Sequence, residues 1–372
     1  MARDSFMDLA RRLAERGRYT VAPNPMVGAV VARDGEAISE CWHARAGGDH
    51  AEIGALRAAG EAARGATLYT TLEPCNHHGR TPPCTETILR SGVARVVIGH
   101  LDPNPRMQGR SVEILRASGL EVEVLDDPAL ERQNEQFMHY MRTGRPFVHL
   151  KLAATLDGRI AAAGGDSRWV TGEGARLRAH RLRAEAGAVL VGAGTVRADD
   201  PLLTARDLPE EPPPLTRVVL DPHLTLSAES RLTKSAPIAP VLVFAGEGSH
   251  DGRVRELETL GVEVVAAPRS SVGLDLHFVL DELGRRGIRG LLVEGGGETA
   301  GRFVAGELAD KISLFYAPKL VGSEGVPMIG ALRVTKMAEA LRFSVSNVER
   351  VGEDVAVTLY PGREERRVHR VG

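Results

Sequence analysis

Short β-branched runs, among them ARVVIG at 94–99, TRVVLD at 216–221 and VEVVAA at 262–267, recur along this chain between segments patterned as helices. No other feature restricts the fold so strongly. A strand followed by a helix returns to its sheet through a crossover, and crossovers join parallel strands. The expectation is therefore an α/β architecture, with a largely parallel sheet covered by helices on both faces. The alternation runs through the chain twice. In the first series, helices at 4–17, 51–63, 84–91, 110–118 and 128–142 separate strands at 26–40, 66–74, 94–99 and 120–125, the first of these broken by the Asp34-Gly35 turn signal. The second series starts at VHLKLAATLDGRIA (148–161). It continues with strands at 188–194, 216–221, 239–246, 262–267, 289–296, 311–320 and 355–360, and helices at 173–186, 251–260, 275–286 and from Glu298. RTGRPF (142–147) is the join. At 372 residues the chain exceeds the size at which one core stops growing, so two domains are expected, 1–144 and 145–364, with a solvated basic tail at 365–372. The prolines of PEEPPPL (209–215) place a surface loop there.

A formal net charge of −2 with no basic half gives nucleic acid little to bind, since clustered Lys and Arg drive that association by releasing counterions. The N-terminal MARDSFMDLARRLAERGRYT carries charges every few residues, so neither a signal peptide nor a membrane span is expected, and the cytoplasm is the expected location. Three cysteines, an odd number, argue against a disulfide framework and direct attention to metal binding or catalysis.

Two of those cysteines, Cys75 and Cys84, flank NHHGRTPP downstream of His50-Ala51-Glu52. Zinc takes thiolate and imidazole ligands tetrahedrally, and a catalytic zinc keeps one position open. His50, Cys75 and Cys84 supply three ligands of suitable softness. Glu52, two residues beyond His50, can share the site only if the pair sits at the irregular first turn of the helix that begins at Ala51. Its carboxylate is then free to move protons. H-x-E followed by P-C-x-x-C is the pattern of zinc deaminases, in which zinc brings the pKa of a water toward about 7 for attack on the amino-bearing ring carbon. Eight residues separate the cysteines here, leaving open whether His77 or His78 is also a ligand. Cys41 reads as a small buried apolar residue.

In the second series, GLLVEGGGETAGRF places a buried strand, a glycine run and a helix start together, an arrangement that lets backbone approach a ligand and aims free N–H groups at phosphate. It is not G-x-G-x-x-G at a first βα turn, which disfavours a Rossmann domain. Lys151 is the first lysine in a chain whose earlier basic residues are all arginine, and it stands inside an apolar strand. A lysine there can share its proton when desolvated, whereas arginine cannot. It is the candidate to polarise or protonate a sugar oxygen, against the alternative of a snorkelling strand-edge lysine.

The segments PNPMVGAVV (23–31), HAEIGAL (50–56), TLEPCNHHGRTPPC (71–84), DPNPRMQGRS (102–111), RPFVHLKLAATLDGRIA, GDSRWVTG, VGAGTVRADDPLLTAR and VEGGGETAGRF together resemble the bifunctional riboflavin-biosynthesis deaminase/reductase family. The eight-residue spacing between cysteines is that family's form of the motif. The resemblance implies a cytidine-deaminase-like three-layer domain followed by a dihydrofolate-reductase-like α/β domain. It implies Zn2+ and NADPH as cofactors and a small pyrimidine ribonucleotide, 2,5-diamino-6-ribosylamino-4(3H)-pyrimidinone 5′-phosphate, as substrate. That substrate is deaminated first, and its ribosyl group is then reduced to ribityl. Carried over by position, Asn24 belongs to the pyrimidine pocket. Ala153, Trp169, Thr195, Asp199 and Gly296, Gly297, Glu298, Thr299, Ala300, Gly301 and Arg302 belong to the cofactor. Ser167, Arg183, Leu203, Arg206 and Glu294 belong to the ribosyl phosphate substrate, for which two arginines and a hydroxyl suit a phosphate dianion. A homo-oligomer, dimer or tetramer, is expected. Two other readings stay open at this level: a nucleoside or nucleic-acid deaminase fused to an unrelated dehydrogenase, and a structural-zinc interaction module.

Overall fold

In a computed structural model, the structure describes residues 3–77, 83–105, 107–208 and 212–362. His78, the basic tail and part of the proline-rich loop lie outside the described residues. By its internal contacts the chain splits into two compact units, Met1–Gly144 and Arg145–Gly372.

The first unit contains α1 (Arg3–Ala14), β1 (Gly28–Arg33), β2 (Glu36–Trp42), α2 (Ala51–Ala59), β3 (Thr67–Leu72), α3 (Cys84–Ser91), β4 (Arg95–His100), α4 (Arg110–Ala117), β5 (Glu121–Val124), α5 (Pro128–Gln133) and α6 (Glu135–Thr143). Its sheet has the order β2-β1-β3-β4-β5. Alternation along the strands divides the core into two layers. Val30, Ala32, Tyr69 and Val97 pack under Met7, Ala10 and Leu13 of α1. Ala29, Val31, Leu68, Val96 and Ile98 face α2, α3 and α4 through Ala55, Leu56, Ile88, Val112 and Leu115. The largely parallel sheet expected here is instead mixed. β1 pairs antiparallel with both β2 and β3, and only β3-β4 and β4-β5 are parallel. The Asp34-Gly35 hairpin seats β2 outside β1, so no crossover links those strands. The helix expected over 51–63 stops at Ala59, where Gly60 at φ 54° turns the chain into a short 3-10 segment. The closing helix breaks at Asn134, whose side chain bonds the Met26 backbone on both sides, accepting from its N–H and donating to its carbonyl, each at 2.8 Å.

The second unit contains β6 (Phe147–Thr155), β7 (Arg159–Ala161), α7 (Glu173–Ala186), β8 (Ala188–Gly192), α8 (Ala193–Asp199), β9 (Thr216–Leu220), α9 (Arg231–Lys234), β10 (Val241–Gly246), α10 (Asp251–Thr259), β11 (Val262–Ala267), β12 (Arg269–Ser270), β13 (Gly273–Leu274), α11 (Leu276–Arg285), β14 (Gly290–Val293), α12 (Gly297–Ala305), β15 (Lys311–Ala317), β16 (Val326–Pro327), β17 (Phe343–Val351) and β18 (Asp354–Pro361). Nine strands form one sheet in the order β11-β10-β9-β8-β14-β6-β15-β18-β17. Every pair from β11 to β15 is parallel, and the two outer pairs beyond β15 are antiparallel. Leu150, Leu190, Val218, Phe244 and Leu291 pack on one face against Val279, Leu283 and Phe303 of α11 and α12. Val189, Val191, Val219 and Val243 meet Leu203, Leu232 and Leu257 on the other.

This order creates a switch point. The chain leaving β8 goes to β9 on one side, whereas the chain leaving β14 crosses β6 to reach β15 on the other. Connections departing in opposite directions open a crevice outside the carboxyl ends of the two strands, where α/β proteins bind ligands.

Candidate active sites

In the first unit, β3 delivers Cys75 through Glu73-Pro74, and α2 and α3 each begin at a candidate ligand. His50 is the N-cap of α2, with ψ 153°, and Cys84 is the first residue of α3. That irregular turn lets His50 and Glu52 serve one site despite their spacing. The ligand atoms of His50, Cys75 and Cys84 all lie within 4.8 Å of one another. His50 Nδ1 is 3.1 Å from Cys84 Sγ and 3.5 Å from Cys75 Sγ, and the Cys84 N–H donates to Cys75 Sγ at 3.3 Å. The hydrogen bond to Cys75 raises His50 to about 9, and Cys75 falls well below an ordinary thiol through its bonds to Cys84 and His50. One imidazole nitrogen and two sulfurs converging on a point are three corners of a zinc tetrahedron, so the donor set fits the metal. His77 stands apart, its Nδ1 3.3 Å from Met107 Sδ. Cys41 is half-buried in β2 rather than buried, its thiol against Gly54 of α2.

Glu52 is 3% exposed. Burial pushes its carboxyl up to about 7, while the charge of His50 and the Thr70 hydroxyl pull it down. Asn24 sits beside this group through a residue that local pattern does not reveal. His43 accepts from Asn24 Nδ2 at 3.0 Å through Nε2 and donates through Nδ1 to the Asp49 carbonyl at 2.9 Å, with its ring edge-on to His50 at 5.6 Å between centroids. The carbonyl fixes the His43 tautomer, and the tautomer fixes which way the Asn24 amide points.

Glu73 is a second residue that sequence reasoning missed. Its buried carboxylate accepts the backbone N–H groups of Asp102 (3.2 Å), Gly109 (3.0 Å) and Ser111 (3.0 Å), and Ser111 Oγ returns a bond to the Pro74 carbonyl at 2.6 Å. The 102–111 loop is thereby clamped to the segment that carries Cys75. An acidic residue at the end of an apolar strand was the only available signal.

In the second unit the crevice at the switch point is a cavity of about 1030 Å³. Lys151, Ala153, Ser167, Thr195, Asp199, Glu294, Gly296, Gly297, Glu298, Thr299 and Arg302 all line it. The first turn of α12 forms one wall. The Gly296 N–H donates to Thr195 Oγ1 at 3.0 Å, and a Cβ on Gly297 would fall 2.2 Å from the Pro327 carbonyl, so only glycine admits this approach. The remaining candidates are placed otherwise. Ala300 and Gly301 are buried in the α12 packing. Trp169 is 64% exposed beneath the Arg176 guanidinium, 4.7 Å from its ring centroid. Leu203 is buried at φ 52°, and Arg206 is 3.7 Å from Asp207.

Arg183, expected to meet a phosphate, is committed within the protein. Nε and Nη2 donate to the two Glu294 oxygens at 2.6 and 2.8 Å, and Nη1 donates to the Thr204 carbonyl at 3.1 Å. Its pairing holds Glu294 below the ordinary carboxylate range against the opposing effect of burial. Lys151 faces this pair from β6. Burial lowers its ammonium pKa, Glu294 works to raise it, and Arg183 lowers it further.

The RibD C-terminal domain model matches residues 146–357, and the cytidine and deoxycytidylate deaminase zinc-binding region matches residues 1–100. The chain is 42% identical to riboflavin biosynthesis protein RibD of Aquifex aeolicus, covering 95% of this chain and 97% of that protein. It is 39% identical to the Escherichia coli protein of the same name over 96% and 99%. Among solved structures, RibD of Acinetobacter baumannii superposes with a TM-score of 0.88 at 37% identity, covering 96% and 98% of the two chains. The Thermotoga maritima diaminohydroxyphosphoribosylaminopyrimidine deaminase/5-amino-6-(5-phosphoribosylamino)uracil reductase gives 0.84 at 38% over the same shares.

Proposed function

This chain belongs to the RibD family of riboflavin-biosynthesis proteins, a bifunctional zinc-dependent deaminase and NADPH-dependent reductase, and we propose that its two activities are carried by the two sites described above. The unit up to Gly144 deaminates the diaminopyrimidine ribonucleotide 5′-phosphate, and the unit from Arg145 reduces the ribosyl group of the product. The convergence of His50, Cys75 and Cys84 beside a buried carboxylate carries the first assignment.

His50, Cys75 and Cys84 hold zinc, which when bound supplies the activation of water at neutral pH. Glu52 is not needed as a ligand. Buried beside the three metal-binding residues, its carboxylate can take a proton from water and deliver it to the ring nitrogen or the departing amine. Asn24, its amide oriented by His43, presents Oδ1 and one N–H to the pyrimidine edge. The cavity would hold NADPH, which when bound would supply hydride. Lys151, desolvated yet opposed by Glu294, holds a proton it can give to the sugar oxygen as the C–H bond forms. Arg183 keeps Glu294 ionised and directed at Lys151, leaving Ser167 and Arg206 to meet the phosphate. Ala153, Thr195, Asp199, Gly296, Gly297, Glu298, Thr299 and Arg302 contact the cofactor, with Ala300 and Gly301 packed behind that wall and Trp169 closing over it.

The test follows ammonia release and NADPH consumption separately. Glu52→Gln should abolish the first and leave reduction of pre-deaminated substrate intact. Lys151→Met should do the converse. Loss of both activities in either variant, or of neither, defeats the assignment.

The same reading includes the cytoplasm, which keeps paired ligand thiols reduced, and a homo-oligomer of two or four chains. The edge strand β17, with Val345 and Val348 exposed at 63% and 60%, supports association. Sedimentation of the purified chain measures it.

A further inference from the structure

β15 lies beside β6 in parallel register, with Ser313 opposite Lys151 and Phe315 opposite Ala153. Residues two apart share a face of the sheet, so Phe315 stands diagonally across from Lys151 on the face that α7 covers. The ammonium lies over its ring, 5.6 Å from the centroid. Phe315 is only 2% exposed, packed with Ala175, Leu182 and Ala186 of α7 and with Leu292 and Ala356 of the sheet. A ring held this firmly presents its face at a fixed place.

Lys151 needs a partner of this kind. Among the described residues its ammonium makes no hydrogen bond and no ion pair. Glu294, at the end of β14, favours the charged form, but both its oxygens are taken by Arg183 of α7, whose own charge opposes it. His149, two residues back on β6, is kept neutral by burial and directs Nε2 at Ser313. Asp199 and Glu298 line the same cavity without reaching the ammonium. A desolvated ammonium sheds its proton unless something stabilises the charge, and the electron-rich face of an aromatic ring does so most strongly where water is excluded.

We propose that Phe315 is a positioning residue for the reduction, its ring face holding the Lys151 ammonium charged and aimed into the cavity. The proposal rests on Lys151 as the proton donor and adds what keeps that donor loaded. An ammonium paired directly with a carboxylate spends its N–H groups on the partner, whereas one seated on a ring keeps all three for a ligand.

The chain has five lysines, Lys151, Lys234, Lys311, Lys319 and Lys336, so the ε carbons of 13C-labelled lysine give a countable set of NMR signals. Lys151→Met identifies the signal of residue 151. Fluorine drains the π face while hardly changing the ring's shape. Mono-, di- and pentafluorophenylalanine placed at 315 in the zinc-loaded full chain should therefore raise the Lys151 acid dissociation constant stepwise, by about 2- to 30-fold at the end of the series. Lys311, whose ammonium lies 5.5 Å from the Tyr360 ring centroid, is the internal control and should not respond. The alkaline limb of NADPH consumption on pre-deaminated substrate should move to lower pH in the same order, with ammonia release unchanged. A ring that only fills space would change the melting temperature with Phe315→Leu and leave the Lys151 titration indifferent to fluorine, and that result overturns the proposal. A titration that follows fluorine while the alkaline limb stays fixed supports the ring's hold on the ammonium and overturns Lys151 as the donor, and with it the part given to Phe315 in reduction.

Discussion

Replacing Glu294 by Gln should destabilise the second unit more than it changes its contacts. The Arg183–Glu294 pair is bidentate, with side chains only 14% and 10% exposed. Gln keeps the volume but removes the charge, so the guanidinium stays desolvated against a neutral partner. Breaking a buried pair from one side costs about 3–5 kcal/mol. For a unit of this size that lowers the melting temperature by about 6–20 °C. Lys151 changes too, because the Glu294 charge supports its protonated form. Without that charge its pKa falls further. A reduction that needs the ammonium is lost as pH rises through that pKa, so the alkaline limb of the reductase profile moves to lower pH. Scanning calorimetry follows the melt, and NADPH consumption across pH follows the limb. The double variant Arg183→Met/Glu294→Leu should recover part of the stability while leaving reduction impaired, since neither member of the pair then remains as an orphaned charge, and only Lys151 loses its counter-charge. A Glu294→Gln protein melting within about 2 °C of wild type, at a transition of this slope, would refute the account of the pair.

Glu73→Ala leaves three backbone N–H groups of the 102–111 loop without their carboxylate. At about 1.5–3 kcal/mol for each bond to a charged group, partly relieved by water, a loss of several kcal/mol is expected. Zinc should then exchange faster against a chelator, as read by metal analysis, and unchanged exchange would contradict the clamp. His149 is buried with Nε2 2.8 Å from Ser313 Oγ, and burial lowers its pKa from 6.5 to about 3. The unfolded chain takes a proton near pH 6.5 that the native state refuses until about pH 3, so stability declines as pH falls through that window. The cost is about 2 kcal/mol at pH 5. Unfolding free energies from urea melts at pH 7 and pH 5 should differ by that amount in wild type and by less in His149→Gln, and equal differences would exclude His149 as the cause.

Much of this was legible in the sequence. The apolar runs located nearly every central strand, because a strand buried on both faces reads as a continuous hydrophobic segment. His50, Glu52, Cys75 and Cys84 could be singled out because each sits near a helix start or strand end that punctuates the pattern. Strand direction in the first unit was not legible. Alternating strands and helices suggest crossovers, but the hairpin at Asp34-Gly35 and the long return to β3 set β1 antiparallel to both neighbours. β17 was missed because its register slips between Val345 and Asn347, which destroys the two-residue period by which an exposed strand is recognised.

The two alternating halves, the donor chemistry of the candidate metal site and the unusual lysine in an apolar strand are each written in neighbouring residues, so one dimension suffices to find them. Tertiary structure alone decided which groups those residues meet. His43 orients Asn24, Glu73 holds a loop that begins 29 residues downstream, and Arg183 reaches Glu294 across 111 residues of chain. A buried charge settles on whichever partner the fold brings within hydrogen-bond reach, and that partner is fixed by strand order and helix packing rather than by the residues beside it.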